Sequence, residues 1–127
     1  MLWCDAAQVR QVLLNLVLNA AQATPVGGAV TVTITEERGS NGRPAGMRMV
    51  VADTGSGIDS TLLPRIFDPF FTTREEGTGL GLAIVHAVVE GHHGRVEVDS
   101  HVGQGSTFSI VLPQGPQTDR AAGVLRR

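Results

Sequence analysis

Residues 15–23 read NLVLNAAQA, and this stretch, extended back to Asp5, decides the first element. Val9, Val12, Leu13, Leu16, Val17 and Ala20 recur at helical spacing. They predict a helix from about Ala6 to Ala23, opened by a capping pair of Asp5 and Gln8 and stopped by Thr24-Pro25. Gln8, Gln11, Asn15, Asn19 and Gln22 fall in a narrow stripe on the same helix. Arg10 is its only charge between the cap and Pro25. Two readings of this amide stripe stay open. It is a mildly polar surface, or it offers neutral oxygens to Mg²⁺, which takes one or two protein ligands and leaves the rest to water and phosphate.

Outward from that helix, Gly27-Gly28 turn the chain and Val30–Thr35 alternates with β-branched residues, as a strand does. Arg38–Gly46 is a polar hairpin loop, and Met47–Ala52 is a second strand expected to pair with the first. Asp59 is placed to cap a short helix ending near Phe67, and the segment from Asp68 to Gly77 reads as loop. Leu80–Glu90 is helical, with Gly91 as its expected C-cap. Arg95–Ser100 and Ser106–Leu112 are strands joined by HVGQG, and a polar tail follows Pro113. Strands in runs, not in strict alternation with helices, imply a helix layer on one face of a sheet.

Three further motifs carry chemistry. In DTGSGI (53–58), Asp53 ends a strand and Gly55 and Gly57 let backbone approach a ligand. Its carboxylate either accepts a local backbone amide or accepts the exocyclic amine of adenine, which guanine lacks at that position. In GTGLGLAI (77–84), three glycines precede an apolar helix. The loop is a hinge and N-cap, or its N–H groups and the helix N-terminus bind phosphate without a lysine. FDPFFTT (67–73) holds three of the four phenylalanines. It is a loop stapled to the core, or a nucleotide-covering lid followed by Arg74 as the cation for phosphate. His86 follows Val85 on a helix that must pack and is rejected as catalytic. Thr107, after G-x-G at 103–105, is expected to point its hydroxyl into the pocket.

Composition narrows the alternatives. A chain of 127 residues with 42% hydrophobic content fits one core. All ten cationic residues are arginines, which excludes a lysine-dependent P-loop or the strand lysine of eukaryotic-type kinases. A net charge of −2 argues against nucleic acid as a partner. One cysteine, Cys4, suits a reducing compartment, and the longest apolar run is too short to span a bilayer. The expected location is the cytoplasm, either free or as the cytosolic part of a membrane-bound sensor, with no direct membrane contact.

The order of these blocks resembles the catalytic, ATP-binding domain of bacterial sensor histidine kinases, in the wider group that includes gyrase, Hsp90 and MutL. QVLLNLVLNA is similar to the family's N box, DTGSGI to its first glycine box, FDPFFTT to its F box, GTGLGLAI to its second glycine box, and VGQGSTF to the last. The short interval from PFFTT to GTGLGL resembles the nitrogen-regulation type, with its short lid. The resemblance covers about Asp5–Pro113. It implies an α+β fold: a two-layer α/β sandwich of the Bergerat type, with a mixed, mostly antiparallel sheet covered on one face by about three helices. The domain is expected over 1–113, truncated at its N-terminus, with a disordered tail over 114–127.

The same resemblance implies the roles. Asn19 is the Mg²⁺ ligand, and Asn15 helps position the γ-phosphate end. Asp53 takes the adenine amine, with Gly55, Gly57 and Ile58 around it and Thr107 supporting through water. Phe70, Thr73 and Arg74 belong to the lid, and Gly77, Thr78, Gly79, Leu80 and Gly81 hold the phosphates. Gln22 stands where many relatives carry a lysine, and Ala23 where they often carry an aromatic, which weakens a charge contact and a stacking contact. The implied enzyme is a protein-histidine kinase using ATP and Mg²⁺. Its partners are a phosphoacceptor dimerisation domain of the same kinase, expected to lie outside this chain, and a response regulator. The competing functions are an ATP hydrolase, a non-catalytic nucleotide-binding interaction module, and a stand-alone serine kinase acting on an anti-sigma antagonist. The hydrolase needs a water-activating Glu where Asn15 stands, and the serine kinase does not fit the F box.

Overall fold

A computed structural model of the chain describes residues 6–71 and 80–113. The element order is α1 (Ala6–Ala23), β1 (Val30–Arg38), β2 (Pro44–Asp53), α2 (Gly81–Gly91), β3 (Arg95–His101) and β4 (Gly105–Pro113). Among the described residues no helix is long and apolar enough to cross a membrane.

α1 has the predicted bounds because sequence and packing agree. Val12, Leu16 and Ala20 are buried along one line, and Val9, Leu13 and Val17 flank them. Its end is fixed locally: the Thr24 hydroxyl donates to the Ala20 carbonyl at 2.7 Å, and Pro25 cannot continue the ladder.

The four strands form one sheet in the order β1-β2-β4-β3, and every neighbouring pair is antiparallel. The mixed sheet expected above is therefore not what the described residues form. β1–β2 and β3–β4 are hairpins; β2 and β3, joined through α2, run parallel to each other but are separated by β4, so no neighbouring pair is parallel. β1 runs to Arg38, three residues beyond the expected end, because pairing continues through Glu37–Gly46 before an irregularity at Arg38.

Register sorts the side chains into two faces. On the inner face, Val32, Val51, Phe108 and Val98 form one row, and Ile34, Met49, Ile110 and Val96 form the next. Val51, Met49, Phe108 and Ile110 are buried against α1 and α2, with Val85 and Val89 of α2 fully enclosed. Each such side chain contributes about 1.5–3 kcal/mol relative to exposure. The outer face carries Arg48, whose guanidinium bonds Glu37 and Glu97 at 3.1 Å each, while Arg95 bonds Glu97 at 2.8 Å. One wet face is normal for an antiparallel sheet.

The third expected helix is absent. Residues 59–71 instead make a string of i→i+3 turns, including a short 3-10 segment at Leu63–Arg65. Pro64 lacks the N–H an α-turn would need there, and Asp59 spends its carboxylate on the Thr61 amide and hydroxyl. α2 also ends differently from expectation. Gly91 is its last helical residue, and the left-handed position falls on His93, at φ 60°. The His93 amide bonds the Glu90 carbonyl and the Gly94 amide the Val89 carbonyl, a Schellman closure two residues later.

Candidate functional site

The inner face changes character at one end. Beyond the apolar rows, the next row reads Val30, Asp53, Ser106 and Ser100. Asp53 is only 7% exposed, at the last position of β2. Its Oδ1 accepts the Gly55 amide at 2.8 Å and the Ser106 amide at 3.3 Å. Among the described residues no donor faces Oδ2. A buried carboxylate with one oxygen fully engaged and the other open is a built acceptor, since burying it unpaired is costly.

The DTGSGI loop is held from two sides. The Ser56 amide bonds the Ala23 carbonyl at the end of α1, and the Gly103 amide bonds the Ser56 carbonyl. Gly55 lies so near α1 that a Cβ there would sit 2.2 Å from the Ala23 carbonyl oxygen. Gly57 has φ 76°, and a Cβ would meet the His101 carbonyl oxygen at 2.1 Å. Ile58 packs against the core and donates its amide to the Ser100 hydroxyl at 2.8 Å.

α1 brings its amide stripe to the same end. Asn15 donates from Nδ2 to the Gly81 carbonyl at 3.3 Å and accepts Gln11 on Oδ1 at 2.9 Å. It therefore joins α1 to the first residue of α2, with both of its polar ends oriented. Asn19 lies one turn nearer the DTGSGI loop and is partly buried, whereas Gln22 is exposed. Leu80, the N-cap of α2, makes no side-chain capping hydrogen bond.

The F-box segment divides. Phe67 packs edge-on against Phe108, with ring centroids 6.5 Å apart, and Phe71 lies under the Arg65 guanidinium at 4.7 Å. Phe70 instead stands 73% exposed in the left-handed region, at φ 68°. Thr73, Arg74, Gly77, Thr78 and Gly79 lie outside the described residues. His86 is exposed, 5.5 Å from the Phe67 ring and 3.7 Å from the Glu90 carboxylate.

One expected site residue is misplaced. Thr107 pairs with Ala52 and Asp99 and so lies on the outer face, opposite Asp53. The residue beside Asp53 is Ser106, which the sequence reading passed over. Strand alternation alone gives the reason: Asp53 and Phe108 face inward, so 106 does and 107 does not. Ser100 was likewise missed, although it continues the inward series Val96, Val98.

Among the described residues no cluster of three His, Cys, Asp or Glu side chains is placed to hold a metal. A cation such as Mg²⁺, which takes one or two protein oxygens and leaves the rest to water and phosphate, needs no such cluster.

Comparison with known proteins agrees with this geometry. Residues 4–116 match the family described as histidine kinase-, DNA gyrase B-, and HSP90-like ATPase. The sensor histidine kinase ZraS of Escherichia coli K12 is 49% identical over 109 residues, which is 86% of this chain and 22% of ZraS. The chain thus spans about a fifth of that relative's length. Among solved structures, the mycobacterial sensor histidine kinase MprB superposes with a TM-score of 0.77 at 34% identity, covering 91% of this chain and 76% of that one. Full-length ShkA in complex with AMPPNP superposes at 0.68 with 37% identity, covering 84% of this chain and 21% of that one. Asp53, the glycine-bound loop and the amide helix thus stand on a scaffold shared with kinase catalytic domains, and the chain belongs to the family of histidine kinase-, DNA gyrase B- and HSP90-like ATPases.

Proposed function

We propose that this chain is the ATP-binding catalytic module of a sensor histidine kinase, passing the γ-phosphoryl of Mg-ATP to a histidine on a separate dimerisation domain, from which a response regulator is served. The observation that carries this reading is Asp53: buried, tied through Oδ1, and open at Oδ2 to a donor such as the adenine amine. Guanine presents a carbonyl there and would set two acceptors against each other.

Asn19 is the protein oxygen for Mg²⁺, which when bound neutralises charge on the phosphates. Asn15 orients the phosphate end and couples it to α2 through Gly81. The α2 N-terminus and the glycines before it offer backbone N–H groups to phosphate, in keeping with a chain that has no lysine. Phosphoryl transfer of this kind needs positioning and charge stabilisation more than covalent chemistry. A fast hydrolase is disfavoured, because Asn15 is an amide without basicity and both of its polar ends are engaged.

The test is thermal melting with and without Mg-ADP. Ligand at a hundred times Kd adds about 2.7 kcal/mol of stability. Mg-ADP is expected to raise the melting temperature and Mg-GTP to leave it unchanged. Equal shifts with both nucleotides would remove the role given to Asp53. Transfer is tested by adding the dimerisation domain of a relative in trans and looking for acid-labile, base-stable phosphate.

A further inference from the structure

β3 turns Val96 and Val98 inward, and the next inward position holds a hydroxyl, Ser100. That hydroxyl lies where three parts of the site meet. It accepts the Ile58 amide at 2.8 Å, stands 2.7 Å from the Ser106 hydroxyl, and lies 3.2 Å from the Gly105 carbonyl. Ser106 in turn gives its amide to Asp53 Oδ1. Both ends of DTGSGI therefore lead to Ser100, Ile58 directly and Asp53 through Ser106.

The bonding is specific to a hydroxyl. The Ile58 amide needs an acceptor, and the Ser106 and Gly105 oxygens can take the single Ser100 proton. The middle of the loop is held by backbone alone, through Gly103 and Ser56. Ile58, at the end of the loop, depends on a side chain. Its sec-butyl side chain packs against the core, and Asp53 stands at the other end of the same loop.

We infer that Ser100 is a positioning residue for base recognition: by gripping Ile58 while leaning on Ser106, it holds the two ends of the DTGSGI loop at the spacing a flat purine requires. Ser100 acts through Ile58, Ser106 and Asp53 and touches no ligand itself. The inference rests on the reading of this pocket as an adenine site.

The experiment compares the 127-residue chain with Ser100→Ala and Ser100→Thr, by calorimetric titration with Mg-ADP and Mg-IDP and by amide exchange at Ile58. IDP has a carbonyl in place of the adenine amine. Ser100→Ala is expected to weaken Mg-ADP about tenfold, the scale of one lost hydrogen bond that strands a partner. It is also expected to narrow the preference for ADP over IDP and to speed exchange at Ile58. Ser100→Thr keeps the hydroxyl and is expected to retain all three properties. A loss of stability alone would lower both nucleotides together and leave their ratio intact, which overturns the inference. So does unchanged ADP affinity in Ser100→Ala, or equal weakening by Ala and Thr. If the unmodified chain binds no Mg-ADP, the adenine reading itself fails and this inference with it. That outcome is visible before any variant is compared.

Discussion

Asp53 and Ser106 are register partners on adjacent antiparallel strands, and the Ser106 amide reaches the carboxylate at 3.3 Å. The strand that closes the core thus also aims the acid. A second amide, from Gly55 within the acid's own loop, holds the same oxygen. The carboxylate is held through Oδ1, and among the described residues no donor is paired with Oδ2.

Asp53→Asn separates the two oxygens. An asparagine can keep Oδ1 on both amides while placing an NH₂ where Oδ2 stood. Stability should fall by only about 1 kcal/mol, since the acceptor role is kept. Mg-ADP affinity should fall about a hundredfold, because donor then meets donor. Urea melts and calorimetric titration measure the two, and a variant that still binds tightly would discard the carboxylate as the base-reading group.

Ser106 and Thr107 provide a paired test of face assignment. Thr107→Ala acts on the outer face and should leave Mg-ADP affinity within about twofold, as expected of a surface change. Ser106→Ala removes a hydroxyl beside Asp53 and should weaken binding several-fold, about 1 kcal/mol for one hydrogen bond. Reversed sensitivities would mean that the strand register at 105–113 is shifted by one residue.

Gly57→Ala should be among the most damaging single changes. The new methyl would meet the His101 carbonyl at 2.1 Å in a left-handed backbone, and neither partner is a flexible side-chain end. The expected loss is about 2–4 kcal/mol, read from the urea midpoint. An unchanged midpoint would show that the loop and the β3–β4 turn are not in contact.

His93 occupies the left-handed closing position of α2, where glycine is preferred. His93→Gly should stabilise the chain by about 0.5–1 kcal/mol, the backbone penalty of the β-carbon less the entropy glycine adds to the unfolded chain. His93→Asn should fall between. Nucleotide affinity should not move, because the position lies at the opposite end of α2 from Gly81. Thermal denaturation decides, and destabilisation by glycine would show that the His93 side chain makes a compensating contact.

Glu97 supplies a pH prediction. Its carboxyl is held below the usual glutamate range, first by the hydrogen bond from Arg95 and then by that from Arg48. A depressed folded value means the contribution is complete above the unfolded value, about 4.3, and is lost as pH falls through the lower folded one. Glu97→Gln should therefore flatten the acid limb of the stability curve and change little at pH 7, where an exposed pair is screened. A variant with an unaltered acid limb would show that the outer-face pairs do not form in solution.

Much of this protein was legible in one dimension. α1 has the bounds that its 3.6-residue apolar period and Thr24-Pro25 predict, and all four strands lie where β-branched alternation places them. Those signals are local: side-chain periodicity and proline stereochemistry act within a few residues. The errors also have local causes. The helix expected after Asp59 gave way to turns once Pro64 removed a donor, and the C-cap fell on His92, with His93 in the left-handed closing position, instead of on Gly91.

By itself the sequence determined the element order, the apolar faces and the chemical types at the site, because each depends on near neighbours and on residue identity. Only the tertiary structure decided which side chains come together. The pairing of β2 with β4 put Ser106 beside Asp53 and turned Thr107 away; contact between helices put Asn15 on Gly81; and β3 brought Ser100 to Ile58 from 42 residues along the chain. Register between distant strands reverses faces with a shift of one residue, and it is set by how the whole core packs.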